Sequence, residues 1–460
     1  MRPFALTEAA AWCGAALRGA DQSVRTVATD TRQPMPGALF VALRGETFDA
    51  HDFVARAAEQ GAVALLVSRP VTSTLPQLVC VDTQIALGAL ARGLAATRST
   101  RLIGLTGSNG KTTVKTLTQS ILSRVGVSYA NPGNRNNEVG LPLAVIDQPE
   151  GAQFGIYEMG AGQPGDIAYL ADIARPDIAL VNNVASAHLE RMGSLLGVAE
   201  TKGAIYQALP DDGIAVINAD EAFAPLFAQY AGARRLLRFG LEGSADVRAL
   251  KIELGAERTR FVLSAPLGEI AVELALGGRH NLMNALAAAS LALAADAPLQ
   301  AIADGLAAAE RVPGRQTPHR LRNGALLIDD SYNANPGSVR AALATLTLGG
   351  GEAWLVLGDM RELGVGERHL HAEIGDAARD AGIRRFFTVG ELSESASRAF
   401  GLGARHYASQ AELIEALRHE LVGLPQAAEV RCLVKGSRGS RMDRVVAALL
   451  ADSREASHAA

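Results

Sequence analysis

Three things are scarce in this chain of 460 residues: cysteines that could pair, charge of one sign, and long apolar runs. Its three cysteines, Cys13, Cys80 and Cys432, lie far apart with no C-x-x-C pair. That excludes a disulfide framework and a thiolate zinc site, and it fits a reducing, cytoplasmic compartment. The 44 basic and 48 acidic side chains leave a net charge of −4, so neither nucleic acid nor an anionic membrane surface is indicated as a partner. No apolar run is long enough to span a bilayer. The short apolar patch from Ala9 to Leu17 follows Glu8 and has only Arg2 as a basic flank, so a signal peptide is not expected. What is present, 48% hydrophobic and 20% charged residues, reads as a globular protein of about three domains.

The most specific signal is Thr106-Gly107-Ser108-Asn109-Gly110-Lys111-Thr112-Thr113, which follows the apolar stretch Leu102-Ile103-Gly104-Leu105 and opens a helix. Strand, glycine loop and helix in that order make a phosphate-binding loop. Glycines let backbone N–H groups turn toward phosphate oxygens, and the helix N-terminus adds positive potential. Lys111 is placed to reach the β- and γ-phosphates and the Thr112 hydroxyl to ligate Mg²⁺, so ATP and Mg²⁺ are expected. Leu105 stands where the generic pattern has its first glycine, leaving the tighter form G-x-x-G-K-T-T. The helix expected over 111–124 places Val114, Leu117, Ile121, Leu122 and Val125 on one face.

The first hundred residues mix strand and helix signals and end in an Ala-rich helix at 83–96 and a polar hinge at 97–100. A domain of residues 1–98 is expected there. Strands at 101–106, 153–158, 177–184 and 213–217 then alternate with helices at 111–124, 197–209 and 278–295. That pattern predicts an α/β domain, 99–312, with a mostly parallel sheet covered on both faces. A β-alternating insert at 245–275 is expected to form an antiparallel edge. After the turn at 311–315, strands at 325–328, 353–357, 385–389 and 429–434 predict a Rossmann-like doubly wound domain, 313–460, with crevices at the strand C-terminal ends. Residues 451–460 read as a frayed tail.

Several boxes carry chemistry beside this frame. Glu158 ends a strand, and Asn182-Asn183-Val184-Ala185-Ser186-Ala187-His188 follows another. Both are placed as Mg²⁺ or nucleotide ligands, with a solvent-facing carboxylate and a structural histidine as the alternatives. Asn131-Pro132-Gly133-Asn134-Arg135-Asn136-Asn137-Glu138 is either a working loop or a complex turn. Asp329-Asp330-Ser331-Tyr332-Asn333-Ala334-Asn335-Pro336 follows a strand and either touches a nucleotide or peptide or starts a helix. Asn281 and Asn284 sit one turn apart, able to read an adenine edge or to cap their helix. Lys435 and Arg438 lie at and just past a strand end, in a carboxylate-binding or simply solvated loop.

Together T-G-S-N-G-K-T-T, G-N-R-N-N-E-V-G-L-P, A-H-L-E, G-R-H-N-L-M-N, D-D-S-Y-N-A-N-P, V-L-G-D-M-R-E-L-G and L-V-K-G-S-R-G resemble the Mur ligases, ATP-dependent amide-forming enzymes of peptidoglycan precursor synthesis. The N-terminal D-T-R-Q-P-M-P-G-A-L-F-V-A-L-R-G-E resembles the family's uridine-nucleotide domain. A folylpolyglutamate-type ligase would share the loop but not that N-terminus or D-D-S-Y-N-A-N-P, and a non-catalytic nucleotide-binding protein is the alternative from another class. The resemblance implies a three-domain α/β fold. It further implies that ATP drives amide formation between UDP-N-acetylmuramoyl-tripeptide and D-alanyl-D-alanine. Carried over position by position, it implies ATP contacts at Gly107, Ser108, Asn109, Gly110, Lys111, Thr112 and Thr113. Asn281 is expected at adenine, Asp330 at the ribose and Arg315 at the phosphates. Thr112, Glu158, His188 and Lys202 are expected around Mg²⁺, with Lys202 carbamylated by CO₂. Asp30, Thr31, Arg32 and the stretch from Phe40 to Phe53 are expected at the UDP sugar, and Asn335 and Lys435 at substrate. A monomer is expected.

Overall fold

A computed structural model of the chain describes residues 1–45, 47–186, 189–425 and 429–455. It contains three α/β units, each built on its own sheet. The first has strands β1 (Ala16–Arg18), β2 (Thr26–Ala28), β3 (Ala38–Val41), β4 (Ala62–Val67) and β5 (Gln77–Val79), in the order β1-β5-β4-β3-β2. Helix α1 (Thr83–Ala95) follows, capped by Asp82, whose carboxylate accepts from the N–H groups of Gln84 and Ile85.

The middle unit starts with β6 (Arg101–Thr106) and α2 (Lys111–Leu122), then β7 (Ser128–Ala130), α3 (Gly140–Asp147), β8 (Phe154–Glu158), α4 (Asp166–Ala174), β9 (Ile178–Val181) and α5 (Leu195–Gln207). Strands β10 (Ile214–Asn218), β11 (Arg235–Gly240), β12 (Val247–Leu254), β13 (Thr259–Ala265) and β14 (Gly268–Leu274) and helix α6 (Arg279–Ala294) complete it. The nine strands run β14-β13-β12-β11-β10-β9-β6-β8-β7, parallel except where β12, β13 and β14 pair antiparallel at one edge, as expected for the 245–275 insert. Central strands are apolar on both sides because helices cover both faces. Ile103 on β6 faces Ile156 on β8 and Ile178 on β9, and all three are fully buried.

The third unit has β15 (Thr317–Arg320), β16 (Leu326–Asp330), α7 (Pro336–Leu346), β17 (Glu352–Gly358), β18 (Arg385–Val389), β19 (Ala404–Tyr407), β20 (Val430–Lys435) and α8 (Asp443–Glu455). Its sheet order is β15-β16-β20-β17-β18-β19, parallel apart from β15.

Some expectations are corrected. Helix α2 ends at Leu122, so Val125 leaves the apolar face and lies exposed. Of the expected tail 451–460, residues 451–455 instead continue α8, and 456–460 lie outside the described residues. Strand β9 stops at Val181, where Asn182 turns its side chain to the loop network described below. The polar stretch 97–100 is tied down: Arg98 donates to the carbonyls of Val145 (2.6 Å) and Ile146 (3.2 Å), and Thr100 to that of Ala152 (2.8 Å). All three thiols are wholly or half buried, and burial pushes those of Cys13 and Cys432 up to about 12 and raises that of Cys80. Among the described residues no helix is long and apolar enough to cross a membrane.

Candidate active site

Strand β6 lies between β9 and β8, so the chain leaves its C-terminal end at the place where the strand order reverses. The glycine loop occupies that crevice. Gly110 has φ +78°, and a Cβ there would come within 2.3 Å of the Asn284 amide, so only glycine allows this turn against α6. The loop is tied to the segment after β9, where Asn109 N–H donates to the Asn183 side chain (2.8 Å) and Asn182 Nδ2 donates to Asn109 O (3.0 Å) and to Asn284 Oδ1 (2.9 Å). Asn284 Nδ2 donates in turn to Asn281 Oδ1 (3.3 Å), whose own Nδ2 donates to Gly277 O (2.8 Å).

Lys111 opens α2, and its Nζ donates to Gly107 O (2.8 Å). Thr112 Oγ1 donates to Glu158 Oε2 (2.8 Å) and accepts from Arg315 Nη2 (3.0 Å). The other carboxylate oxygen of Glu158 accepts from Asn136 Nδ2 (2.8 Å), and Lys115 Nζ lies 3.7 Å from Oε2. Burial works to raise the Glu158 carboxyl, but the charges of Lys111 and Lys115, with the bonds from Thr112 and Asn136, outweigh it. The group is held below the usual carboxylate range. Burial pulls Lys111 down, opposed by Glu158 and reinforced by Arg315.

Lys202 on α5 is 1% exposed. Burial, with Lys111 nearby, lowers its pKa well below that of a free lysine, and Asp166 opposes the shift. His188 lies outside the described residues.

The third unit forms the opposite wall. The Arg315 guanidinium sits 4.3 Å from the centre of the Tyr332 ring. Asn335 caps α7 by accepting from Ser338 N–H (2.9 Å) and uses its Nδ2 to reach Asn109 Oδ1 (2.8 Å), so the helix-start alternative and a cleft contact both apply to it. Lys435 Nζ is spent on Asp330 Oδ2 (2.6 Å) and Asn333 O (2.9 Å) rather than standing free for an incoming carboxylate. A cleft of about 770 Å³ runs between the two units, lined by Lys111, Glu158, Asn281, Arg315, Asp330 and Asn335 among others. Asp30, Thr31 and Arg32 lie outside it, in the first unit, where Arg32 forks onto the Asp30 carboxylate (2.7 Å) and holds it down to about 2. Residues the sequence reading did not single out are Lys115, Tyr332 and the orienting role of Asn136. The spacing of Lys115, one helical turn after Lys111, was the available signal.

Among the described residues no three His, Cys, Asp or Glu side chains converge to cage a metal ion. The adjacent hard oxygens of Thr112 and Glu158 suit Mg²⁺, which takes one or two protein oxygens and completes its shell with phosphates and water.

Three family models match successive parts of the chain: the Mur ligase family catalytic domain over residues 23–93, the Mur ligase middle domain over 105–292, and the Mur ligase glutamate ligase domain over 314–438. The chain is 44% identical over 434 residues to the UDP-N-acetylmuramoyl-tripeptide–D-alanyl-D-alanine ligase of Escherichia coli K12, covering 94% of this chain and 95% of that one. A crystal structure of MurF from Acinetobacter baumannii superposes with a TM-score of 0.93 at 32% identity, covering 98% and 99% of the two chains. The MurF ligase of Thermotoga maritima, solved in complex with ADP, superposes at 0.84 with 28% identity, covering 94% and 98%.

Proposed function

This chain belongs to the Mur ligase family, and from that premise we propose how its cleft joins D-alanyl-D-alanine to UDP-N-acetylmuramoyl-tripeptide. It is an ATP-dependent carbon–nitrogen ligase. The tripeptide's terminal carboxylate is a poor acylating agent at neutral pH. Its oxygen attacks the γ-phosphorus of ATP, ADP leaves, and an acyl phosphate results. The dipeptide's neutral amine then attacks the acyl carbon, loses a proton and expels phosphate. The chain's task is positioning and charge neutralisation. Lys111 and Arg315 offset charge on the moving phosphoryl group, and the loop N–H groups hold the phosphates. Asn281 faces adenine and Asp330, held by Lys435, faces the ribose. Mg²⁺ on Thr112 and Glu158 would supply further neutralisation of the phosphates.

The observation that carries this reading is the meeting, in one cleft, of the phosphate loop with Arg315 and Asn335 from the third unit. Residues 1–98, with Asp30, Thr31 and Arg32, hold the uridine nucleotide, and residues 313–460 supply the dipeptide site. The enzyme acts as a monomer in the cytoplasm, where ATP is at hand. Phosphate release with UDP-N-acetylmuramoyl-tripeptide tests it, comparing D-alanyl-D-alanine with D-alanine, diaminopimelate and glutamate. Release dependent on any acceptor other than the dipeptide would overturn the substrate assignment.

Lys202 is carbamylated in this reading. Burial, reinforced by Lys111 and only partly opposed by Asp166, disfavours the ammonium form and so favours the free amine that reacts with CO₂, and the adduct would place an anion in the neighbourhood of Lys111 and the metal. Activity is expected to fall in CO₂-stripped buffer at mildly acidic pH and to return with bicarbonate. Near-normal turnover of Lys202→Ala at saturating Mg²⁺ would sink this part.

A further inference from the structure

Glu158 is held by more than Thr112. Its backbone is pinned by one side chain, Asn131, which accepts from the Glu158 N–H (2.9 Å) and donates to the Glu158 carbonyl (3.0 Å). Its carboxylate meets Thr112 on one oxygen and Asn136 on the other. Both asparagines belong to the loop between β7 and α3, so the orientation of the carboxylate depends on where that loop sits.

Lys115 sets the position of the loop. Its side chain is 7% exposed, and its Nζ donates to the carbonyls of Asn131 (2.7 Å) and Gly133 (3.1 Å) while lying 3.7 Å from Glu158 Oε2. A buried ammonium is strongly disfavoured unless its donors are met, and an apolar side chain would fill the same volume without that penalty. Here two carbonyls and a carboxylate surround it. One cation thus joins the phosphate-loop helix, the 131–133 backbone and the end of β8.

We propose that Lys115 is a positioning residue for phosphoryl transfer: it fixes the 131–136 loop and the Glu158 carboxylate in the register in which Glu158 and Thr112 face the nucleotide-bound cation together. It touches neither nucleotide nor substrate. The inference rests on the reading of Glu158 as a magnesium ligand.

The test is calorimetric titration of ADP into the full chain, once with excess EDTA and once with excess Mg²⁺, for the wild type, K115M and E158Q. The quantity read is the gain in ADP affinity that Mg²⁺ confers. E158Q is expected to abolish the gain. K115M is expected to cut it by about tenfold, the scale of losing a group that orients a metal ligand, while leaving affinity in EDTA unchanged. Hydrogen exchange of the 131–136 amides is expected to speed up in K115M.

A wild-type gain in K115M, or an equal loss in EDTA and in Mg²⁺, would overturn the proposal, the second because it marks general damage to the site. A wild-type gain in E158Q would overturn the metal-ligand reading instead, whatever K115M does. Should K115M fail to fold, K115A removes the donor and the charge alike while leaving room for water to reach the loop carbonyls. The same two titrations then decide, with an undiminished gain counting against the proposal.

Discussion

At the first junction of this molecule α1 lays Leu87, Leu90 and Leu94, all fully buried, into a core that continues without a break through Leu141 and Val145 of α3 and Ile167 and Leu170 of α4. At the second, no apolar core cluster spans both sides among the described residues, and the crossing hydrogen bonds include Arg315 to Thr112, Asn335 to Asn109, and Thr345 within 3.4 Å of His280 Nδ1. The connecting strand of chain is held by Arg311, which donates to the carbonyls of Glu257 (3.0 Å) and Gln316 (3.3 Å), and it turns at Gly314, φ +73°. A shared apolar core resists opening because every square ångström exposed costs free energy. A net hydrogen bond contributes about 1 kcal/mol and re-forms readily with water. The first and middle units are therefore expected to move as one body, with the third the part that swings. Both junctions look alike in composition, each polar and short, and only packing separates them.

Substitutions can break this contrast. The largest effect is expected from Arg315→Ala, which removes the guanidinium aimed at Thr112. Turnover should fall on the order of 10²–10³-fold, as for loss of one preorganised charge-stabilising donor, with little change in the denaturation midpoint. A variant that unfolds early while retaining turnover would show that the second junction is structural after all. Next comes Leu90→Ala at the first junction, where a cavity in the shared core should cost about 2–5 kcal/mol, read by urea denaturation. Loss of the first unit alone, with the middle unit melting at its wild-type midpoint, would contradict a common body.

A smaller effect concerns pH. Burial, with the charge of Lys435, pulls His280 at the second junction down to about 4 from its ordinary 6.5. A base whose pKa is lowered when buried contributes its stability above the free value. That contribution is lost as pH falls from about 6.5, because the opened state takes up the proton, and the loss is complete near 4. Closure should weaken across that window, seen as expanding scattering curves in the presence of an ATP analogue. His280→Gln should flatten the dependence, and an equally steep profile in that variant would assign the effect elsewhere. Smallest is Asn335→Ala, which removes the α7 cap and the bond to Asn109 and should cost about 1 kcal/mol, with a modest rise in the KM for ATP.

The strands were legible in the sequence wherever they are apolar on both faces, as at 101–106 and 385–389, because burial between two helical layers removes alternation. The phosphate loop was legible because strand, glycine and helix signals coincide within a dozen residues. Short edge strands such as Ser128–Ala130 and Ala404–Tyr407 were not, since three or four residues partly in solvent leave no period to read. The cleft contacts were least legible. Asn335 and Asn109 are separated by 226 positions, and Lys435 and Asp330 by 105, so nothing local indicates that the lysine meets that aspartate rather than a ligand. Val125 was misread for the opposite reason: helical periodicity continues past the point where the backbone stops.

The buried thiols give an experimental handle on the swinging unit. A thiol reacts as its thiolate, and a group whose pKa stands at about 12 is ionised to roughly one part in 10⁵ at neutral pH. Cys432 is moreover sealed in the middle of the third unit's sheet, and Cys13 and Cys80 are partly covered within the first. A pair of surface cysteines introduced on either side of the cleft would thus take up maleimide dyes ahead of the native three. The opening angle of the third unit could then be followed by energy transfer in single molecules of an otherwise unaltered chain.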